Sequence, residues 1–133
     1  MENKLIENLK KSYAPYSKFR VSAILVTKDG KEYTGVNIEN ASYGATICAE
    51  RVAITKAISE GQSPSNFKEI HIMCDSKEFA MPCFICRQTF KEFFNQDTLI
   101  YVYNNQKEKK TYQMEQICPY PFSKEDLKWK VDS

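Results

Sequence analysis

Leu5, Ile6 and Leu9 recur at helical spacing among charged neighbours, so residues 2–13 read as a helix with one apolar stripe. The stretch APYSKF (14–19) carries a proline and ends it. Residues 20–40, RVSAILVTKDGKEYTGVNIEN, hold two β-rich runs joined by Asp29-Gly30, a hairpin turn pair. From Cys48 to Glu60 the spacing is helical again, with Val52, Ala53, Ala57 and Ile58 as the apolar positions and Gly61 as the stop. EIHIMCD (69–75) is a short apolar run, read as a strand buried on both faces. Cys83 to Phe94 is helical by pattern, with Pro82 just ahead of it. LIYVYN (99–104) gives a fourth strand, NNQKEKK (104–110) a solvated turn, and Lys110–Gln113 fits a short fifth strand. A short helix near Met114–Ile117, a proline-rich bend at CPYPF (118–122) and a last helix from Ser123 close the chain.

Two antiparallel strands followed by strand–helix alternation call for a mixed sheet with helices packed on it. That is an α/β fold, expected as one domain over residues 1–133. The 133 residues suffice for one hydrophobic core, and 42% apolar with 27% charged residues marks a folded globular chain. A formal charge of +2 leaves little with which to hold phosphates, so neither a nucleic acid nor an anionic membrane is expected as a partner. No run approaches the ~20 apolar residues that cross a bilayer. The N-terminal MENKLIENLKKSY lacks the apolar segment of a signal peptide, so the expected location is cytoplasmic, where thiols stay reduced. Five cysteines, an odd number, then suit metal binding or catalysis better than a disulfide framework.

The chemistry concentrates in MPCFICRQ (81–88). A CxxC pair alone is compatible with half a zinc site, a redox disulfide or a core pair. Here the helices beginning at Cys48 and Cys83 both place cysteines at a helix N-terminus, where unpaired N–H groups and the macrodipole favour a thiolate. Cys48, Cys83 and Cys86 can therefore meet as three ligands, leaving a fourth tetrahedral position for water. Glu50, two residues after Cys48, can then act as a general base without being a ligand. The two halves, Cys48-Ala49-Glu50 and Pro82-Cys83-Phe84-Ile85-Cys86, match the signature of zinc nucleobase deaminases.

The chain resembles the short, homotetrameric, zinc-dependent cytidine deaminases. APYSKF, the hairpin, GVNIENASYG (35–44), CAER (48–51), PCxxCRQ (82–88) and PFSxEDL (121–127) match that family in order. The resemblance implies a three-layer α/β/α fold with a mixed five-stranded sheet and one Zn²⁺ per chain. It also implies hydrolytic deamination of cytidine or deoxycytidine in pyrimidine salvage, by a zinc-activated hydroxide with Glu50 as proton shuttle. Three thiolates leave the metal site a net charge of about −1, and the resemblance assigns Arg51 to moderating it through the ligand sulfurs. It assigns Asn37 and Glu39 to the ribose 3′-hydroxyl, which their alternate positions permit if the strand continues. Phe19 matches the aromatic that stacks on the base, and Tyr43 and Phe122 match positions contributed by neighbouring subunits of the tetramer.

Two residues depart from the family pattern. Phe84 stands where PCGxCRQ usually has glycine, and Tyr120 where a small residue is common; either could reshape the pocket. A deaminase of a related aminopyrimidine nucleoside, of the blasticidin S type, is the alternative enzyme. A zinc-stabilised module without catalysis is the alternative from another class, and it has no use for Glu50. Cys74, Cys118 and His71, the one histidine, read as structural residues.

Overall fold

The computed structural model describes residues 1–127. Five strands, β1 (Val21–Thr27), β2 (Glu32–Val36), β3 (Phe67–Cys74), β4 (Leu99–Tyr103) and β5 (Lys109–Tyr112), form one sheet in the order β2-β1-β3-β4-β5. β1 runs antiparallel to β2 and β3, β3 parallel to β4, and β5 antiparallel to β4. The one parallel pair needs a crossover, and helix α3 (Phe84–Phe93) lies within it. Helices α1 (Glu2–Leu9), α2 (Ala49–Ser59) and α4 (Met114–Ile117) complete the set, with short 3₁₀ turns at Tyr43–Ala45, Pro64–Asn66 and Lys124–Leu127. The fifth strand is present, one residue earlier than its pattern suggests. The remainder of the helix expected from Ser123 falls outside the described residues.

Strand alternation divides the sheet into two buried faces. Ala23 and Leu25, Ile70 and Ile72, and Ile100 and Val102 pack with α2, α3 and α4 in the larger cluster. The intervening Ile24, Met73 and Tyr103 pack with Leu5 and Leu9 of α1. The result is three layers, and it explains why EIHIMCD is apolar at almost every position.

α1 is shorter than the 2–13 expected. Beyond Leu9 no apolar residue continues its stripe until Tyr13, which belongs to other pairing. The Tyr13 N–H donates to the Asn37 carbonyl at 3.0 Å, and its carbonyl accepts from Glu39 N–H at 2.8 Å. The backbone must therefore be extended there, and the helix stops first.

The apolar face of α2 also differs from the expected one. Ala49, Ala53, Ile54 and Ala57 are fully buried, whereas Val52 and Ile58 lie at the margin. The alanines, four residues apart, form a smooth stripe that lets the helix backbone settle directly onto β2. A Cβ placed on Gly35 would stand 2.3 Å from the Ala49 carbonyl oxygen and 2.6 Å from the Ala53 nitrogen. Only glycine permits this contact.

On the other face His71 is buried in a satisfied network, as its place in a β-run suggests. Its Nδ1 lies 2.8 Å from the Tyr103 hydroxyl, its Nε2 meets Glu69, and its ring stacks on Tyr101 at 4.6 Å. A carboxylate only accepts, so Nε2 carries the proton and Tyr103 donates to Nδ1. Burial, ahead of the opposing Glu69, holds the His71 pKa below its ordinary value of 6.5.

Two outcomes are expected. Gly35→Ala should lower stability by about 3 kcal/mol, read as a lower urea midpoint at unchanged slope, because neither backbone atom can yield. Below pH 6.5 the unfolded chain binds a proton at His71 that the folded chain resists, so stability should fall as pH drops through that value. This part of the slope should vanish in His71→Gln, measured by denaturant titrations across pH.

Candidate metal centre

Cys48 and Cys83 are the N-cap residues of α2 and α3, both with extended backbone and neither making a side-chain cap hydrogen bond. The preferred N-cap residues would satisfy a free N–H with an oxygen. Here the helix ends instead present sulfur, with the dipoles favouring negative charge. Each approach is pinned. Ile47 exchanges backbone hydrogen bonds of 2.9 and 3.0 Å with Ile38, fixing the chain just before Cys48. Arg87 Nε donates to the Pro82 carbonyl at 2.8 Å and Nη1 to that of Ile117 at 3.1 Å, fixing the chain just before Cys83.

These supports bring the sulfurs of Cys48, Cys83 and Cys86 within 4.8 Å of one another. Cys48 Sγ is 3.8 Å from Cys83 Sγ, which is 3.4 Å from Cys86 Sγ. Metal–sulfur bonds of about 2.3 Å space the sulfurs of a tetrahedral site by about 3.8 Å, so the trio fits a zinc ion. The charge pattern agrees. The Cys86 thiol, then Arg51, hold Cys48 down to about 5, while Cys48 and burial push Cys86 upward. One sulfur ionises readily at the expense of its neighbour, and a full thiolate set calls for a cation. The cluster runs from the sealed Cys86 outward to the exposed Cys83.

Arg51 leans over the cluster, with Nη2 3.8 Å from Cys48 Sγ and 3.4 Å from the Thr46 carbonyl. Its Nε is buried without a hydrogen-bond partner among the described residues. Glu50, in the first turn of α2, is 4% exposed. Burial, with the Cys48 charge adding to it, raises its carboxyl to about 7 against the opposing pull of the Cys86 thiol and Arg51. A carboxyl poised near neutrality can both take and return a proton.

Asn37 and Glu39 follow β2, which ends at Val36. The chain stays paired beyond it, since Ile38 bridges to Tyr13 and to Ile47. Both side chains are tied to residues 12–21. Asn37 Oδ1 accepts from the Val21 N–H at 3.0 Å and from the Ser12 hydroxyl, and its Nδ2 donates to the Phe19 carbonyl at 2.8 Å. Glu39 accepts from the N–H groups of Tyr16 and Ser17 at 3.0 and 3.1 Å and from the Ser17 hydroxyl. Phe19 is partly exposed, and Tyr43 and Phe122 are exposed, with the Phe122 carbonyl held by Gln88 Nε2 at 2.8 Å.

Phe84 has the Arg87 guanidinium 4.4 Å over its ring. Tyr120 lines a separate cavity of about 200 Å³ with Lys91, Phe94, Met114 and Cys118. The lining of that cavity includes no cysteine of the trio. Gly35, Ser12 and Ser17 also support the site. A glycine inside a strand is a sign of close backbone approach, whereas nothing local marks the two serines.

A family model for the cytidine and deoxycytidylate deaminase zinc-binding region matches residues 1–103. The cytidine deaminase of Sporosarcina psychrophila is 40% identical over 133 residues, covering 97% of this chain and 96% of that protein. That of Halalkalibacterium halodurans is 42% identical over 116 residues, covering 87% and 86%. The crystal structure of cytidine deaminase from Burkholderia pseudomallei superimposes with a TM-score of 0.83 at 37% identity, covering 92% of this chain and 99% of that one.

Proposed function

We propose that this chain, which belongs to the cytidine and deoxycytidylate deaminase family, hydrolyses cytidine and deoxycytidine to uridine and deoxyuridine with release of ammonia. One observation carries the reading: three cysteine sulfurs within 4.8 Å of one another at two helix ends, with a buried glutamate in the first turn of one of those helices. Cys48, Cys83 and Cys86 would hold one Zn²⁺. When bound, zinc supplies a Lewis acid that lowers the pKa of water to about 7.

The remaining work falls to the chain's own groups. Glu50 takes a proton from the attacking water and delivers it to N3 of the cytosine ring, making C4 electrophilic. It then passes the second water proton to the exocyclic amine, which leaves as ammonia. Arg51 offsets part of the thiolate charge, keeping the sulfur set a weaker electron donor. Phe19 stacks on the base, while Asn37 and Glu39 grip a sugar hydroxyl. Tyr43 and Phe122, exposed on a lone chain, are assigned to pockets of neighbouring subunits in a homotetramer. The setting is pyrimidine salvage in the cytoplasm, where reduced thiols remain free to bind metal.

The test is turnover of cytidine by zinc-loaded protein, followed through the ultraviolet absorbance of the nucleoside. Glu50→Ala should keep zinc and fold while losing activity about 10⁴-fold. No turnover by fully loaded wild type, or undiminished turnover by the variant, would overturn the reading. Cys86→Ser should reduce bound zinc to a small fraction of one ion per chain, measured by mass spectrometry of the metal.

A further inference from the structure

Ser17 stands at the centre of the loop at residues 14–19, and its hydroxyl makes two of the hydrogen bonds that hold it. The Ser17 hydroxyl donates to one oxygen of Glu39 and accepts from the Phe19 N–H at 3.0 Å. The other oxygen of Glu39 receives the N–H groups of Tyr16 and Ser17. Between Ser17 and Phe19 stands Lys18, a non-glycine residue at φ 61°. Such a conformation persists only where surrounding bonds impose it. Ser17 supplies them on one side, and the Lys18 N–H bond of 3.0 Å to the Ala14 carbonyl supplies them on the other.

Counting lone pairs shows what this arrangement leaves over. A carboxylate accepts about four hydrogen bonds; Glu39 uses three within the loop, so one site on the oxygen facing Ser17 stays open. On Asn37, Oδ1 is filled by two donors and Nδ2 spends one hydrogen on Phe19. One acceptor site and one N–H remain, which is what a single hydroxyl can satisfy. The Tyr16 and Ser17 N–H groups hold one oxygen of Glu39. The Ser17 hydroxyl on the other completes the hold on the carboxylate's rotation, which sets where that acceptor site points. The same hydroxyl bond is the first cause holding the Glu39 pKa below its ordinary value.

We infer that Ser17 is a positioning residue: its hydroxyl aims Glu39 at one sugar hydroxyl and ties that aim to the backbone of Phe19. This rests on the proposed function, in which Glu39 meets the sugar and Phe19 the base. Ser17 touches neither reacting atom nor zinc ligand, so it acts on binding and not on the chemical step.

The experiment compares wild type, Ser17→Ala and Ser17→Thr on cytidine and on 3′-deoxycytidine. Ser17→Ala should raise KM for cytidine about tenfold with kcat within about twofold, since one charge-assisted bond aligning the carboxylate is lost. With 3′-deoxycytidine the rise in KM should be several-fold smaller, because the hydroxyl being aimed for is absent and only the tie to Phe19 is lost. Ser17→Thr, which keeps the oxygen, should behave as wild type on both. An unchanged KM for cytidine in Ser17→Ala would overturn the inference. So would an equal rise on both nucleosides, the mark of a merely loosened loop, or a fall in kcat alone. Failure of the underlying reading looks different: a wild type that does not distinguish the two nucleosides removes the sugar from Glu39, and the inference with it.

Discussion

The backbone of α2 rests on the backbone of β2 with no side chain between them, and the site is referenced to that contact. Ala49, whose carbonyl faces Gly35, is flanked by Cys48 and Glu50. A metal-binding sulfur and the buried carboxylate are thus held by their immediate neighbour against a sheet edge. The strand that carries Gly35 runs on to Asn37 and Glu39, and its extension at Ile38 grips Ile47 just before Cys48. The groups assigned to the sugar and to the reaction share one rigid frame, with no long side chain intervening. Positional tolerance at such sites is well under an ångström, and a contact between two backbones is the stiffest way to meet it.

Charge is balanced locally as well. Two helix N-termini converge on three sulfurs, and neither offers the oxygen cap that would compete for the same N–H groups. Arg51 adds a positive charge against Cys48, while Glu50 lies close enough to feel the Cys48 charge and the burial together. The glutamate is consequently a weak acid where an exposed first-turn glutamate would be a fully formed anion. Its near-neutral poise follows first from its burial in the opening turn of α2 and then from the neighbouring Cys48.

Much of this was legible in the sequence, for identifiable reasons. Chemistry that is local in sequence reads directly: Cys48-Ala49-Glu50 and Pro82-Cys83-x-x-Cys86 carry both candidate ligands and helix starts within a few residues. Period also reads directly, which is why β3, β4 and α3 fall close to their expected bounds. What escaped depends on partners distant in sequence. α1 stops early because Tyr13 pairs with residues 37–39, and α2 turns its alanines inward because Gly35 offers them a bare backbone. The hydrogen bonds of Ser12 and Ser17 cross more than twenty residues, and no local pattern signals them. Phe84 departs from the family pattern in the sequence, and only the fold shows that the Arg87 guanidinium lies 4.4 Å over its ring.

The graded burial of the sulfurs has a consequence for handling the protein. Cys83 is open to solvent and its sulfur stands 3.4 Å from the sealed Cys86. A disulfide requires about 2.05 Å, so a small local movement suffices for peroxide to join the two sulfurs, itself reduced to water. An oxidised pair has no thiolate to offer, and the metal could not return. Zinc bound there would compete with that oxidation for the same two sulfurs.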